Sequence, residues 1–170
     1  MSEADIAAVA LGANLGAAER NVRRALVALA SLPDTRMLAR SSLYRTQPWG
    51  RCDQPSFVNA VALLATGLKP RALWRALLAI EAAFGRVRDG SRWGPRSLDL
   101  DLLVHGDRPY ADGDLILPHP RLRERSFVLV PLNEIAPTLP IPGVGTAEEA
   151  LLALSPPMGE CECLAESGAL

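Results

Sequence analysis

The chain has 170 residues, of which 49% are hydrophobic and 22% charged, and its formal net charge is −1. A chain of this length and apolar content can bury its own core, which excludes an intrinsically disordered protein. The near-balanced charge gives no support to a protein that coats nucleic acid or a membrane surface.

The start of the chain and its cysteines indicate where the protein works. Glu3 and Asp5 accompany the first apolar run, which is the wrong polarity for a secretory signal peptide. The apolar runs are too short to span a bilayer. Three cysteines, an odd number, suit a reducing compartment better than a disulfide framework. We therefore expect a soluble, cytoplasmic monomer whose partners are small molecules, with neither nucleic acid nor a membrane among them.

Hydrophobic spacing predicts short strands alternating with amphipathic helices. Residues 6–11 are expected to form a strand, residues 17–32 a helix, residues 37–44 and 57–64 two strands, residues 70–84 a second helix ending at Gly85, and residues 98–104 a last strand. This β-α-β-β-α-β order is typical of a ferredoxin-like α+β sheet with helices packed on one face.

A C-terminal extension follows these elements. Residues 118–137 combine a loop with a short helix. We predict one domain over residues 1–154 and a mobile tail over residues 155–170, because the tail lacks hydrophobic periodicity. Cys161 and Cys163 are predicted to be free thiols in that tail, since two residues so close in sequence are awkward to bridge and too few for a zinc site.

The strongest chemical signal is the run Leu98-Asp99-Leu100-Asp101-Leu102 in the last predicted strand. Side chains alternate along a strand, so the two aspartates would project from one face, about 7 Å apart at their Cα atoms, and the leucines from the other. Carboxylate oxygens suit Mg²⁺, and a pair of them can hold ions that bridge substrate phosphates. An edge strand with its polar face in water explains the same pattern equally well.

Arginines crowd beside this pair, in the segment that leads into the strand. Arg86, Arg88, Arg92 and Arg96 precede the acids, and Glu81 lies on the helix before them. Guanidinium groups match phosphate oxygens bidentately, so acids and arginines together favour a polyphosphate substrate. The sequence has neither a Walker-type loop nor a Gly-rich protein-kinase loop. A solvated charged face is the alternative for the arginines, and a salt bridge to one of them is the alternative for Glu81.

Further motifs extend this pattern over nearly the whole chain, to about Pro137. They are the stretches 11–16 (LGANLG), 42–50 (SLYRTQPWG), 54–60 (QPSFVNA), 85–88 (GRVR), 93–101 (WGPRSLDLD), 117–120 (LPHP) and 125–127 (RSF). Together with Glu81, these motifs resemble those of the 6-hydroxymethyl-7,8-dihydropterin pyrophosphokinase family of folate biosynthesis. The resemblance implies transfer of pyrophosphate from ATP to the hydroxymethyl group of a reduced pterin, with release of AMP and the help of two Mg²⁺ ions.

The resemblance also implies roles for individual residues. Asp99 and Asp101 would be the metal ligands and, with Arg86 and Arg96, the catalytic group. The ATP-binding residues would be Glu81, Arg88, Arg92, Trp93, His119 and Arg125. The pterin-binding residues would be Thr46, Pro48, Trp49, Phe57, Asn59 and Phe127. The loops at residues 46–56 and 86–96 would close over both substrates and exclude water.

Other interpretations of the same residues stay open. Asp99 and Asp101 would equally serve a metal-dependent nucleotidyltransferase or phosphohydrolase that acts without a pterin. Phe57 and Phe127 would also fit as core aromatics, and His119, between two prolines, as a surface histidine. A ferredoxin-like RNA-binding module is disfavoured, because no aromatic run lies on a central strand and the net charge is not basic.

Overall fold

The computed structural model describes residues 4–48, 53–85, 95–154 and 161–164. Its elements in chain order are β1 (Asp5–Ala13), α1 (Ala18–Ala30), β2 (Thr35–Arg40), β3 (Leu43–Thr46), β4 (Phe57–Thr66), α2 (Pro70–Ala83), β5 (Asp99–His105), β6 (Tyr110–Asp112), β7 (Leu115–Leu117), a 3₁₀ turn (Leu122–Glu124), α3 (Ser126–Ile135), β8 (Pro140–Ile141), β9 (Gly145–Thr146), α4 (Ala147–Leu152) and β10 (Cys161–Leu164). The predicted α+β class is confirmed. Among these described residues, no helix combines the length and apolar character needed to cross a bilayer.

Within the described residues, six strands form one antiparallel sheet. Its order is β10-β3-β4-β1-β5, and β2 pairs with the part of β4 that β3 leaves free. The central strands β1 and β4 stay in register from Asp5, opposite Thr66, to Ala13, opposite Val58. Because β1 has a strand on each side and helices on both faces, its sequence is apolar almost throughout.

Helices α1 and α2 cover one face of this sheet. Leu26 and Leu29 of α1, with Leu73 and Leu77 of α2, are each at most 3% exposed. They lie at helical spacing and pack against alternate strand residues, which include Val9, Leu11, Ala60, Ala62, Leu100 and Leu102. We call this layer the first core. Burial of each leucine side chain contributes about 2 kcal/mol.

Helices α3 and α4 cover the opposite face, which the sequence analysis did not predict. Leu129 and Leu132 of α3 pack against Val61 and Leu103, the strand residues that alternate with those of the first core. We call this layer the second core. It fills only the half of the face that lies beneath α3 and α4, because the other half carries polar and small side chains.

The single strand predicted over residues 37–44 is wrong, since the structure divides it into β2 and β3. Ser41 donates its N–H to Val61 O at 2.9 Å, and its hydroxyl accepts the Val61 N–H at 2.9 Å. A side chain thus takes the place of a backbone acceptor, and the ladder is interrupted there. Ser42 turns instead to Glu134 of α3, to which its hydroxyl donates at 2.8 Å.

The tail predicted to be mobile contains a strand. Cys161–Leu164 pairs with β3, so that Cys161 lies opposite Thr46 and Cys163 opposite Tyr44. Both cysteines are free thiols. Four residues are too few to show a hydrophobic period, and their partner strand is distant in sequence, so the pairing left no local signal.

Candidate active site

A row of residues crosses the sheet on the face that α3 covers. Asn59 in β4 lies opposite Gly12 in β1, and Gly12 lies opposite Asp99 in β5. In the next row, Ala10 lies opposite Asp101. Neighbouring strands are about 4.8 Å apart, so the backbones of Asn59 and Asp99 are separated by roughly 10 Å. Between the amide and the carboxylates the floor is therefore made of the smallest side chains.

A cleft of about 660 Å³, open to solvent, lies above this floor. Toward β3 and β4 it is lined by Thr46, Phe57 and Asn59. Toward β5 it is lined by Arg96, Asp99 and Asp101, and α3 adds Arg125 and Phe127 from its N-terminal end. One cavity thus joins an aromatic and amide-bearing region to a charged one.

The two aspartates of β5 project into this cleft, whereas the leucines between and beside them point into the first core. Each carboxylate is paired with a guanidinium: Arg96 contacts Asp99, and Arg125 Nη1 donates to Asp101 Oδ2 at 3.0 Å. The side chains of Asp99 and Asp101 remain 19% and 31% exposed. Both acids are therefore held in place and still accessible from the cleft.

The pKa of Asp101 is subject to opposing effects of its surroundings. Burial raises the pKa of Asp101, and the charge of Asp99 raises it further, against the opposing effects of His119 and Arg125. Because two neighbouring carboxylates repel each other, a cation placed between them is stabilised.

His119 lies beside these acids, after the cis peptide bond between Leu117 and Pro118. Burial lowers the pKa of His119, against the opposing charge of Asp101, and so favours the neutral ring. Its Nδ1 accepts the Arg121 N–H at 3.1 Å. In the neutral ring the proton is consequently on Nε2, where it can be donated to a ligand.

Asn14, just beyond β1, fixes the backbone of Arg96. Its side chain is 4% exposed; Oδ1 accepts the Arg96 N–H at 2.8 Å, and Nδ2 donates to Gln54 Oε1 at 2.9 Å and to Pro55 O at 3.1 Å. The N–H groups of Asn14 and Leu15 donate to Arg96 O at 2.9 and 3.1 Å. One buried amide therefore sets the position of Arg96 relative to the segment that precedes β4.

Two further contacts orient the polar walls. Asn59 Nδ2 donates to Thr46 Oγ1 at 2.5 Å, and both side chains are buried. The guanidinium carbon of Arg125 lies 5.7 Å from the centroid of the Phe127 ring.

The Nε of Arg125 is buried and has no hydrogen-bond partner within the part of the chain that the structure describes. A buried guanidinium donor in a cleft indicates that an anionic ligand is expected there.

The structure brings together eight of the described residues that were predicted from the sequence: Thr46, Phe57, Asn59, Arg96, Asp99, Asp101, Arg125 and Phe127. Pro48, Glu81 and His119 are not among the residues that line the cleft. Glu81 is 2% exposed, and its Oε1 accepts the Leu100 N–H at 2.7 Å, which supports β5 at the edge of the sheet. Trp49, Arg86, Arg88, Arg92 and Trp93 lie outside the described residues, as do residues 49–52 of the first predicted loop and residues 86–94 of the second.

Sequence reasoning assigned no role to several residues that also line the cleft: Ala10, Leu11, Gly12, Gln47 and Val128. Apart from Gln47, these side chains are small or apolar and carry no chemical signal of their own. Only the pairing of β1 between β4 and β5 brings Ala10, Leu11 and Gly12 to the site. The motif at residues 11–16 was the available signal for Gly12 and Asn14.

Comparisons with known proteins point to one family. A family model described as 7,8-dihydro-6-hydroxymethylpterin-pyrophosphokinase (HPPK) matches residues 8–137. A Methylorubrum extorquens protein named 2-amino-4-hydroxy-6-hydroxymethyldihydropteridine pyrophosphokinase is 49% identical over 146 residues, which cover 86% of this chain and 91% of the relative. A Pseudomonas aeruginosa protein of the same name is 49% identical over 134 residues, covering 79% and 82%.

Solved structures match the fold. A crystal structure of Plasmodium falciparum HPPK-DHPS with pterin and p-hydroxybenzoate superposes with a TM-score of 0.70 at 14% identity, covering 89% of this chain and 43% of that one. An HPPK-DHPS structure in complex with substrates gives a TM-score of 0.68 at 13% identity, covering 88% and 43%. The chain spans less than half the length of these solved chains, and at such identities the likeness concerns the fold alone.

Proposed function

The chain belongs to the 7,8-dihydro-6-hydroxymethylpterin-pyrophosphokinase family, and from that premise we propose that it transfers pyrophosphate from ATP to the hydroxymethyl group of 6-hydroxymethyl-7,8-dihydropterin in folate biosynthesis. AMP is the second product. The observation that carries the proposal is the cleft in which an aromatic, amide-lined region adjoins a pair of carboxylates flanked by arginines. Such a cleft suits a flat heterocycle at one end and a polyphosphate at the other.

The pterin is assigned to the end of the cleft near β3 and β4. Phe57 and Phe127 come from different elements and supply ring faces, and a flat bicyclic ring gains both burial and stacking between such faces. Asn59 supplies an amide that can donate and accept at the ring edge, and Thr46 is hydrogen-bonded to it. Pro48 and Trp49 were predicted to complete this pocket, and we keep them as part of the proposal.

Mg²⁺ is assigned to Asp99 and Asp101. The residues fit the ion, because two hard oxygen donors share one strand face. The pKa of Asp101 is raised chiefly by burial and further by the charge of Asp99, and a cation would relieve that repulsion. Within residues 4–48, 53–85, 95–154 and 161–164, no cluster of three or more His, Cys, Asp or Glu could hold a metal without help. Phosphate oxygens of ATP would therefore complete the coordination of two ions. When bound, Mg²⁺ neutralises phosphate charge as a Lewis acid.

The remaining phosphate charge is assigned to the donors around the acids. Arg96 and Arg125 lie beside the carboxylates, and the buried Nε of Arg125 is a donor available to a phosphate oxygen. His119 contributes a neutral Nε2–H. We assign Arg86 to catalysis and Arg88, Arg92, Trp93 and Glu81 to ATP binding on the family resemblance.

The chemistry is an in-line displacement at the β-phosphorus. The hydroxymethyl oxygen forms a bond to this phosphorus, the bond to the α,β-bridging oxygen breaks, that oxygen leaves with AMP, and the hydroxyl proton passes to solvent. No covalent enzyme intermediate is required. The roughly 10 Å between the backbones of Asn59 and Asp99 leaves room for the hydroxymethyl group to meet the polyphosphate above Gly12 and Ala10. The protein accelerates the reaction by positioning and charge neutralisation.

AMP release measured with and without the reduced pterin tests the proposal. We expect ATP consumption to require the pterin and to yield AMP with the pyrophosphorylated pterin. Asp99→Asn and Asp101→Asn should lower kcat by about a hundredfold or more while leaving the melting temperature nearly unchanged. Asp107→Asn, which alters an exposed acid far from the cleft, is the matched control. AMP or phosphate release without a pterin would favour a nucleotidyltransferase or phosphohydrolase instead.

We further propose that the enzyme acts as a cytoplasmic monomer on small molecules alone. The supporting observations are the formal net charge of −1 and the odd number of cysteines. Elution of the purified chain at the volume of an 18.2 kDa protein would support the monomer.

A further inference from the structure

Gly12 stands at an unusual point of the sheet. It lies one residue before the end of β1, where the strand is still paired on both sides, with Asn59 on one and Asp99 on the other. A glycine inside a strand weakens it, because it loses more backbone freedom on folding and packs no side chain. Its backbone there is in register with both neighbouring strands, which any residue can adopt. Gly12 is therefore not explained by the conformation of the chain.

The space beside Gly12 gives the explanation. A Cβ atom at this position would lie 2.8 Å from Asn59 Oδ1 and 3.9 Å from Asn59 Cγ, with no other heavy atom within 4 Å among those described. The first distance is well inside van der Waals contact. The atom in the way is the far end of a side chain, not backbone. An alanine would therefore be accommodated by moving the Asn59 amide, with the strand left in place.

The Asn59 amide has little freedom to move without losing a partner. Its Nδ2 donates to Thr46 Oγ1 at 2.5 Å, and the side chains of Asn59 and Thr46 are 6% and 5% exposed. The amide is thus held between a hydroxyl on β3 and the bare Cα of β1. In this orientation, Oδ1 is the atom that faces Gly12 and the open floor of the cleft.

We infer that Gly12 is a positioning residue for substrate recognition: the lack of a side chain at this position sets the Asn59 amide in the orientation that reads the N–H groups at the edge of the pterin. The inference rests on the proposed function, which assigns Asn59 to the pterin. It adds a residue that makes no polar contact of its own and acts through another. The floor of the cleft then selects for a heterocycle whose edge donates to a carbonyl oxygen fixed over β1.

Steady-state kinetics of four variants test this inference. Gly12→Ala is expected to raise the KM for the reduced pterin about tenfold, the typical effect of one misplaced neutral hydrogen bond. The KM for ATP should change less than twofold. The melting temperature should change little, because the gain from replacing glycine by alanine in a strand offsets the weakened hydrogen bond between Asn59 and Thr46. An unchanged KM for the pterin would overturn the inference.

A double-mutant cycle separates steric positioning from a general effect on β1. Asn59→Ala alone should raise the pterin KM, and adding Gly12→Ala to it should cost less than a further twofold, because the amide that the new methyl group would displace is gone. Full additivity of the two effects would overturn the inference. If Gly12→Ala alone fails to fold, the inference requires that the double variant folds. A double variant that also fails to fold would show that the backbone, and not the Asn59 amide, obstructs the alanine. That result would also overturn the inference.

Ala8→Gly is the matched control. Ala8 lies on the same strand and the same face as Gly12, is fully buried in the second core and does not line the cleft. We expect a lower melting temperature and an unchanged pterin KM. A raised pterin KM in this variant would overturn the inference, because it would attribute the effect to any change in β1. If Asn59→Ala leaves the pterin KM unchanged, the inference fails, whereas the proposed function is judged separately by pterin-dependent AMP release.

Discussion

At the scale of single residues, the phenylalanines of the chain fall into two environments. Phe57 and Phe127 are half-buried and line the cleft, whereas Phe84 closes α2, packs on the first core and lies 5.1 Å below the guanidinium of Arg24. Ring burial and stacking are together worth about 1–2 kcal/mol. Phe57→Ala and Phe127→Ala are therefore expected to weaken pterin binding about tenfold and to leave ATP affinity within twofold, as measured by calorimetric titration.

Phe84→Ala is the control for this prediction, because it removes an aromatic ring of the same size from outside the cleft. It should lower the melting temperature and leave pterin affinity per folded molecule intact. Phe127 also packs against the second core, so its variant is expected to lose some stability as well. Three variants that lose stability alike and keep pterin affinity would show that all three rings serve only the core.

At the scale of elements, β3 and α3 are tied together by Glu134. Its Oε2 accepts the Tyr44 hydroxyl at 2.6 Å, and its Oε1 accepts the Ser42 hydroxyl and N–H at 2.8 and 3.0 Å. Burial opposes ionisation of this carboxyl, but the hydrogen bonds from Tyr44 and Ser42 outweigh it and lower the pKa of Glu134. Since β3 carries Thr46 and α3 begins beside Arg125, this contact fixes two walls of the cleft relative to each other.

Removal of the Tyr44 hydroxyl tests whether its hydrogen bond to Glu134 stabilises the packing of α3 on β3. Tyr44→Phe should lower the unfolding free energy at neutral pH by about 1 kcal/mol, measured by urea unfolding. A group whose pKa is lower in the folded protein stabilises it above its ordinary pKa, and that stabilisation is lost as the pH falls through the lowered value. The difference between the variant and the parent should therefore disappear in strong acid.

Tyr110→Phe is the matched control, because the hydroxyl of Tyr110 donates to Asp112 at 3.2 Å in a solvent-exposed hydrogen bond. It should change the unfolding free energy less than Tyr44→Phe does. A Tyr44→Phe effect that persists unchanged at acidic pH would show that the hydroxyl does not act through ionised Glu134.

The same elements show what the sequence can and cannot predict. The apolar runs of β1 and β4 and the alternation of Asp99 and Asp101 are local patterns, and the structure agrees with them. The break at Ser41 depends on Val61, which is distant in sequence, so periodicity could not reveal it. The convergence of Phe127 and Arg125 on the acids likewise depends on how α3 packs, and only the family resemblance indicated it.

Glu81 combines a role predicted from the sequence with a structural contact to β5. The family resemblance implied a contact to ATP, and its charge beside an arginine-rich segment suggested a salt bridge; both roles stay predictions. One contact seen in the structure is with the Leu100 N–H, on the side of β5 that carries no further strand from the described part of the chain. An edge strand needs partners for its outward N–H groups, and a sequence does not show which strand will be at the edge.

At the scale of the whole molecule, β10 closes the sheet on the side opposite β5. It pairs with β3, and Leu164 packs against the first core. A chain ending at Leu154 is expected to lose about 2 kcal/mol of unfolding free energy, since it gives up this short ladder and the contacts of Leu164. It should also self-associate more readily, because the edge of β3 becomes available for pairing.

Urea unfolding and the elution volume of the shortened chain measure both effects. Leu164→Ala in the full chain is the control, because it keeps the backbone ladder and removes only an apolar contact. It should lose stability without self-association. An unchanged urea midpoint in the shortened chain would show that β10 does not contribute to the stability of the sheet.

The alternation of side chains along β5 restricts insertions and deletions in this part of the sequence. Leu100 and Leu102 face the first core while Asp99 and Asp101 face the cleft, one residue after another. Deletion of one codon between Leu98 and Asp101 would turn every following side chain to the other face of the sheet. Leucines would then enter the cleft and a carboxylate the apolar layer, at a cost of several kcal/mol. A point substitution in this strand alters one side chain and leaves the others on their own faces, whereas a change of length alters them all and is expected to be eliminated by selection. The surface turn between β6 and β7 can vary in length.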